Sequence, residues 1–255
     1  MMRSPIPVID AHGHLRINVR FPYKTNPEEM LAVMDALNIE AIAVTAALSC
    51  WNDAPRGNAQ VDEVIREYPS RFLGYVTVNP HVPGEAIREL ERWSHFHAPP
   101  LIKLHPGTQK YAVNGAKFAP VWDYANQTGA TVLVHTWESS PFCSPSMFPA
   151  IGRAYPKARI LMGHSGVTWH GIEQAQEAAL QAPNLYLELC SSQRHRLALA
   201  RSVDRVGAER ILFGSDMPAL EAACTLADVL TSSIRDSDKE LILRTNFLRL
   251  LESSS

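Results

Sequence analysis

Val8-Ile9-Asp10-Ala11-His12-Gly13-His14 begins as a β-branched run and ends in ionisable groups. Side chains at i and i+2 of a strand share a face, so His12 and His14 aim to one side. Seven further runs read as strands: Ala41-Ile42-Ala43-Val44, Phe72-Leu73-Gly74-Tyr75-Val76, Leu101-Ile102-Lys103-Leu104, Thr131-Val132-Leu133-Val134, Arg159-Ile160-Leu161-Met162, Leu185-Tyr186-Leu187-Glu188 and Arg210-Ile211-Leu212-Phe213. They recur every 25–35 residues or so, with segments of helical periodicity between them, as repeated βα units around a parallel sheet do. Pro27 to Leu37, with Asn26 as N-cap, and Pro83 to Phe96 read as helices. Gly129 and Gly207 stand near the left-handed position that commonly closes a helix.

A doubly wound open sheet and a barrel share this local pattern, and the polar residues separate them. The first run ends in His12 and His14, the fourth in Lys103 and His105, the fifth in His135, the sixth in His164, and the eighth runs on to Asp216. Only in a barrel do so many strand ends converge on one face, the face where active sites sit. The expected fold is therefore α/β, a single distorted (β/α)8 TIM barrel over residues 1–252, with 253–255 a frayed tail.

The chain has 255 residues, 46% of them hydrophobic and 20% charged, and its 24 lysines and arginines nearly balance 26 acidic residues for a net charge of −2. That composition excludes disorder, collagen and coiled coil. The charge balance lacks the basic footprint of a nucleic-acid binder. A chain of this size folds without disulfides or a structural metal, so a metal here serves chemistry. Cys50, Cys143, Cys190 and Cys224 are scattered, with no C-x-x-C pair, and read as reduced thiols. There is no apolar leader and no run of about 18 apolar residues, so a cytoplasmic protein outside the membrane is expected.

A His-x-His triplet alone is weak evidence. His95-Phe96-His97 is an internal control: it falls at the end of an expected helix, where i and i+2 point about 200° apart. His12, His14, His135, His164 and Asp216, all at strand C-termini, form a joint signal for metal binding.

The sequence resembles the amidohydrolase superfamily. Its nearest resemblance is to amidohydrolase-related family 2, the branch that contains aminocarboxymuconate semialdehyde decarboxylase and the resorcylate-type decarboxylases. The resemblance is carried by Ile9 to His14, Gly57-Asn58, Tyr68 to Phe72, Val78-Asn79-Pro80, Ile102 to Pro106, Val134-His135-Thr136, Gly163 to Gly166, Pro183 to Leu187 and Ile211 to Asp216. It implies that His12, His14, His135 and Asp216 bind one divalent ion, with His164 beside it as the catalytic histidine. Three imidazoles and a carboxylate suit zinc with a water in the open position, manganese being the alternative ion.

In binuclear members of the superfamily a lysine on the fourth strand is carboxylated and bridges two metals. The mononuclear reading is preferred here, with Lys103 a cation for an anionic substrate or the partner of a carboxylate such as Glu188. His105, one pleat beyond, contacts substrate or holds its own loop. Arg16, Arg20 and Arg56 lie in loops on the active-site face, where one would clamp a substrate carboxylate if it is not simply a solvated surface group. Trp137 with Glu138, and Trp169 with His170, line the pocket or pack their loops. His81 and His195 read as structural or surface residues.

The main expectation is hydrolysis of a small amide, lactone or cyclic ester by a metal-activated water, with Asp216 taking up the water's proton and His164 stabilising the oxyanion or relaying a proton. The alternative is nonoxidative decarboxylation of an aromatic or dienoic acid, with His164 handling protonation at carbon. Both need the same five residues. A TatD-like nuclease or phosphoesterase fits less well, because the middle and last strands read Ile102-Lys103-Leu104-His105 and Gly214-Ser215-Asp216. A non-catalytic binding protein would have lost ligands. The expected partner is a small-molecule substrate, with neither nucleic acid nor membrane, and a homodimer is the base-rate assembly.

Overall fold

Each of the eight runs forms a strand in the computed structural model, which describes residues 3–15, 26–51, 53–97, 101–190 and 197–252. The strands are β1 Val8–Leu15, β2 Ile39–Ala46, β3 Phe72–Thr77, β4 Leu101–Leu104, β5 Thr131–His135, β6 Arg159–Gly163, β7 Leu185–Glu188 and β8 Ile211–Leu212. They lie in chain order, and every neighbouring pair is parallel. Because β8 is only two residues long, the loop after it completes the ring against β1. Ala11 N donates to Phe213 O at 3.0 Å, Asp216 N to His12 O at 2.8 Å and His14 N to Met217 O at 2.8 Å. The architecture is a (β/α)8 TIM barrel.

The helices follow the expected punctuation with two corrections. Pro27–Leu37 is helical, and the Asn26 side chain accepts from Glu29 N at 2.8 Å. The segment expected from Pro83 to Phe96 narrows to Glu85–Ser94, because Gly84 takes φ 71 and holds the chain out of the helix until residue 85. Gly129 closes its helix at φ 69, ψ 23 as expected, whereas Gly207 takes φ 89, ψ 143 and leads into the 3-10 turn Ala208–Arg210. None of the helices among the described residues is long and apolar enough to cross a membrane. Residues 253–255 lie outside the described residues.

Two apolar layers hold the barrel. The outer one packs strand residues such as Val8, Ile42, Val44, Ile102, Val132 and Ile160 against helix residues such as Met34, Val61, Leu90, Trp93 and Val121. The inner one fills the barrel with Ile9, Ala11, Ala43, Tyr75, Leu101, Leu133, Leu161 and Leu212, joined by Phe247 and Leu250 of the helix Asn246–Glu252. That helix seals the end of the barrel where strands begin: Arg159, the first residue of β6, donates to Leu250 O at 2.8 Å.

One irregularity positions the site. Asp10 pairs with Ile42 and Gly13 with Val44, so β1 spends three steps where β2 spends two. Ile42 and Val44 face the outer layer, so Asp10 and Gly13 face outward with them. The extra residue is a β-bulge, which breaks strict alternation. Ile9 and Ala11 face inward below it, and His12 and His14 face inward above it. An unbroken strand with Ile9 and Ala11 inside would have turned both histidines toward the helices.

Candidate active site

His12 and His14 rise from β1, Lys103 from β4, His135 from the end of β5, His164 from the turn after β6, Glu188 from the end of β7 and Asp216 from the loop after β8. All stand at the mouth formed by the strand C-termini. Two of them have left-handed backbones, His164 at φ 64 and Asp216 at φ 60, which non-glycine residues adopt only when the surroundings hold them there. The restraints are on hand. Asp216 N donates to His12 O, His164 N donates to Glu188 Oε2 at 3.1 Å, and the next residue, Ser165, donates from its hydroxyl to Glu188 O at 2.9 Å.

His12 Nδ1 lies 2.9 Å from Glu188 Oε2, and His14 Nδ1 lies 3.1 Å from Thr45 Oγ1. Both partners fix a ring and leave its Nε2 as the outward nitrogen. His14 Nε2 is 3.0 Å from Asp216 Oδ1 and His12 Nε2 is 3.5 Å from the same oxygen. Donor atoms on one tetrahedral ion with bonds of about 2.0–2.1 Å lie roughly 3.3 Å apart, so these spacings fit a divalent ion held by His12, His14 and Asp216. Among the described residues, a second group of potential ligand atoms converges within 4.8 Å, on His12, His164 and Cys190.

His135 stands beside the first group and outside it. Its ring meets His164 edge-on at 4.5 Å and stacks on His105 at 4.0 Å and 14°. His105 Nδ1 in turn accepts from Thr108 N at 3.3 Å, capping the short turn Pro106–Gln109, so one of its nitrogens serves its own loop. Trp137 lies parallel to His135 at 6.1 Å, and with 37% of its surface exposed it carries the stack outward.

Lys103 is completely buried, and its Nζ lies 2.6 Å from His12 Nε2. Pairing with a carboxylate such as Glu188 is one of the two roles expected of Lys103; its contact in the structure is with an imidazole instead. The Glu188 carboxylate is taken up by His12 Nδ1, by His164 N, by Cys190 N at 2.7 Å and by the Cys190 thiol at 3.1 Å. Sequence reading missed Cys190, whose Sγ is 3.1 Å from His12 Nδ1 and 3.2 Å from His164 Nδ1. The available signal was its i+2 spacing from Glu188, which places both on one face at the end of β7.

Burial sets the protonation of this cluster. It holds His12, His105 and His135 well below the usual histidine range and takes His164 down to about 4, so all four are neutral at neutral pH. Burial alone would raise Asp216, but the imidazoles of His12 and His14 more than offset it and hold its carboxyl far below the carboxylate range. Burial pushes Glu188 and the Cys190 thiol up and Lys103 down. Asp10, under the bulge, is raised to about 7 by burial despite hydrogen bonds from His12 N and Ser215 N, both at 3.0 Å.

The softer candidates separate. Arg56 is exposed on the first turn of the helix Ala54–Glu67, and its backbone N–H is capped by Asp53. Arg16, Arg20 and His195 lie outside the described residues. Glu138 accepts from the Thr168 hydroxyl, and Trp169, the first residue of the helix Trp169–Gln181, carries the Arg201 guanidinium of the helix Ala198–Val206 over its ring. His170 is exposed, with Glu173 at 3.8 Å. His81 Nε2 lies 2.6 Å from Gln109 O, a structural contact as expected. In the internal control, the helix stops at Ser94 and His97 pairs with Asp62 at 2.8 Å.

Solved structures share the fold. An uncharacterised TIM-barrel protein from Bordetella bronchiseptica superposes with a TM-score of 0.80 at 18% identity, covering 98% of this chain and 99% of the other. The 2,6-dihydroxybenzoate decarboxylase from Rhizobium gives 0.77 at 17% identity, with coverage of 98% and 99%. A dihydroxybenzoic acid decarboxylase from Polaromonas sp. JS666, solved with bound manganese and the inhibitor 2-nitroresorcinol, gives 0.76 at 17% identity, with 98% of each chain covered. The amidohydrolase family model matches residues 9–252, nearly the whole chain. The chain belongs to the amidohydrolase family.

Proposed function

We propose that this protein is a metal-dependent, nonoxidative decarboxylase of an aromatic carboxylic acid. The observation that carries the reading is a second cation in the ligand cluster: the Lys103 ammonium is buried against His12, beside the groups that would hold a divalent ion. A divalent ion and a Lys103 ammonium together would outweigh the Asp216 carboxylate beside them, and an anionic substrate would make up the difference. A carboxylate supplies that charge; a neutral amide or lactone does not. Similar barrels that decarboxylate dihydroxybenzoates, one of them with manganese bound, support the same choice over hydrolysis.

His12, His14 and Asp216 would hold one divalent ion, with His135 the neighbouring imidazole that completes the set. When bound, the ion would supply a Lewis acid for the substrate's carboxylate and hydroxyl oxygens. The side chains do the rest. Glu188 keeps His12 in its ligating tautomer. Lys103 neutralises the substrate carboxylate and Trp137 offers its ring face to the aromatic ring. His164 is the proton carrier: its Nδ1 donates to Cys190 O at 3.1 Å, which leaves Nε2 to act. Nε2 takes a proton from solvent or from a substrate hydroxyl and delivers it to the ring carbon bearing the carboxylate. The carbon–carbon bond then breaks, its electron pair restores the ring, and carbon dioxide leaves.

The test is to offer manganese- and zinc-loaded protein hydroxybenzoic acids, dienoic acids, lactones and amides, following carbon dioxide release and bond hydrolysis together. Carbon dioxide release from a hydroxybenzoic acid is expected. Cleavage of an amide or lactone, with no carbon dioxide from any acid, would overturn the reading in favour of hydrolysis.

A further inference from the structure

We propose that the Thr136 hydroxyl is the positioning group for His164: it spans the left-handed turn that carries the imidazole and holds that turn at both ends. The inference rests on the proton-carrier role given to His164 above and adds the residue that keeps the carrier in place.

Four consecutive residues after β6 take left-handed backbones, His164 at φ 64, Ser165 at φ 45, Gly166 at φ 81 and Val167 at φ 71. Only Gly166 does so freely, and a β-branched residue such as Val167 is an outlier there. With ψ at −57, Val167 takes the rare, strained form of the γ-turn. A run of this kind persists only where its surroundings over-determine it.

The end of β5 supplies the restraint. Thr136, the residue after His135, has no exposed surface. Its hydroxyl donates to Gly163 O at 2.6 Å and accepts from Gly166 N at 2.9 Å. These two groups lie one residue before and two residues after His164, so a single oxygen closes the turn around the imidazole. A hydroxyl can do this because it carries a donor and acceptors on one atom. Glu138 N donates to Gly166 O at 3.2 Å from the same loop. Gly166 also packs on Gly171 of the helix Trp169–Gln181, so closely that a Cβ on Gly166 would come within 2.6 Å of Gly171 O. In the sheet β6 lies between β5 and β7. Glu188 thus holds His164 from one neighbouring strand, through its backbone N–H, and Thr136 holds the turn from the other. Without the hydroxyl, the buried Gly166 N–H loses its acceptor and residues 164–167 relax toward ordinary φ, taking the imidazole with them.

The experiment compares manganese-loaded wild type, Thr136→Val and Thr136→Ser by crystal structure and by carbon dioxide release from 2,6-dihydroxybenzoate as the probe. Valine keeps the shape of threonine and lacks the hydroxyl, whereas serine keeps the hydroxyl. Thr136→Val is expected to lower kcat by up to about 100-fold, with KM and manganese content unchanged, and to show His164 Nδ1 moved off Cys190 O. Thr136→Ser is expected to recover most of the rate and the wild-type position of His164. If Thr136→Val does not fold, Thr136→Ala is read in its place. An unchanged kcat in the hydroxyl-free variant, or an equal loss in Thr136→Ser, would overturn the inference. A loss of manganese would overturn it as well, because Thr136 would then act through His135. If the wild type releases no carbon dioxide from this acid, the failure is that of the substrate reading, and the structures alone decide: His164 displaced without the hydroxyl and in place with serine upholds the inference, and His164 undisplaced in both overturns it.

Discussion

Glu188 on β7 holds His12 on β1 past the short strand β8 between them, Oε2 to Nδ1 at 2.9 Å, and the same oxygen accepts the backbone N–H of His164 at 3.1 Å. One buried carboxylate thus orients a metal-ligand candidate and the proton carrier together. Its other oxygen accepts from Cys190 N, so its position is fixed at both ends.

Replacing Glu188 by Gln removes the charge that favours the ligating tautomer of His12. Loss of such a supporting carboxylate typically costs about 10–100-fold in metal affinity. Competition against a chelator measures this directly, and an unchanged affinity would show that Glu188 only fills space.

Gly214 reaches the same carboxylate by sterics. A Cβ at this position would collide with Glu188 Oε1 and come within 2.8 Å of the His12 Cβ. Gly214→Ala therefore pushes Glu188 off His12 from the far side. It is expected to lower metal affinity in the same direction as Glu188→Gln and to destabilise the fold by about 1–3 kcal/mol, the usual cost of overpacking. Thermal unfolding and chelator competition on one preparation read both effects.

His164→Ala should retain the metal while turnover falls by about 10²–10⁴-fold, the usual share of a proton-transfer group. Metal content and single-turnover rate separate the two outcomes, and loss of the metal would make His164 a ligand. A pH signature accompanies it in metal-free protein. Burial lowers His164 to about 4 from an ordinary 6.5, so between those values the unfolded chain holds more protons than the folded one. Stability from this group is fully present above about pH 6.5 and is lost as pH falls toward 4, by on the order of 3 kcal/mol in total. Denaturant titrations across this range should show a shallower acid loss in His164→Ala than in wild type; identical slopes would mean that His164 is not buried neutral.

The barrel was legible because each strand carries its own signal: β4 and β7 begin and end where their apolar runs do, and polar residues mark the C-terminal ends of β1, β5 and β6. The metal-ligand candidates His12, His14 and Asp216 were legible for the same reason. The bulge in β1 was not, since nothing in Asp10-Ala11-His12-Gly13 reveals which residue is the extra one; only pairing with β2 defines it. The Glu188–His12 contact spans 176 positions and depends on barrel closure, which local pattern does not encode. Lys103 invited a carboxylate partner by charge, yet the position of the β4 pleat aims it at an imidazole nitrogen. Arg56, expected in a loop, stands instead on the first turn of a helix and is exposed.

The proposed chemistry depends most on His12, His14 and Asp216 holding a single divalent ion. Elemental analysis of the purified protein, beside Asp216→Ala, tests this directly. About one manganese or zinc per wild-type chain, lost in the variant, is the predicted result. Full activity without metal, or about two ions per chain with activity dependent on bicarbonate, would contradict it.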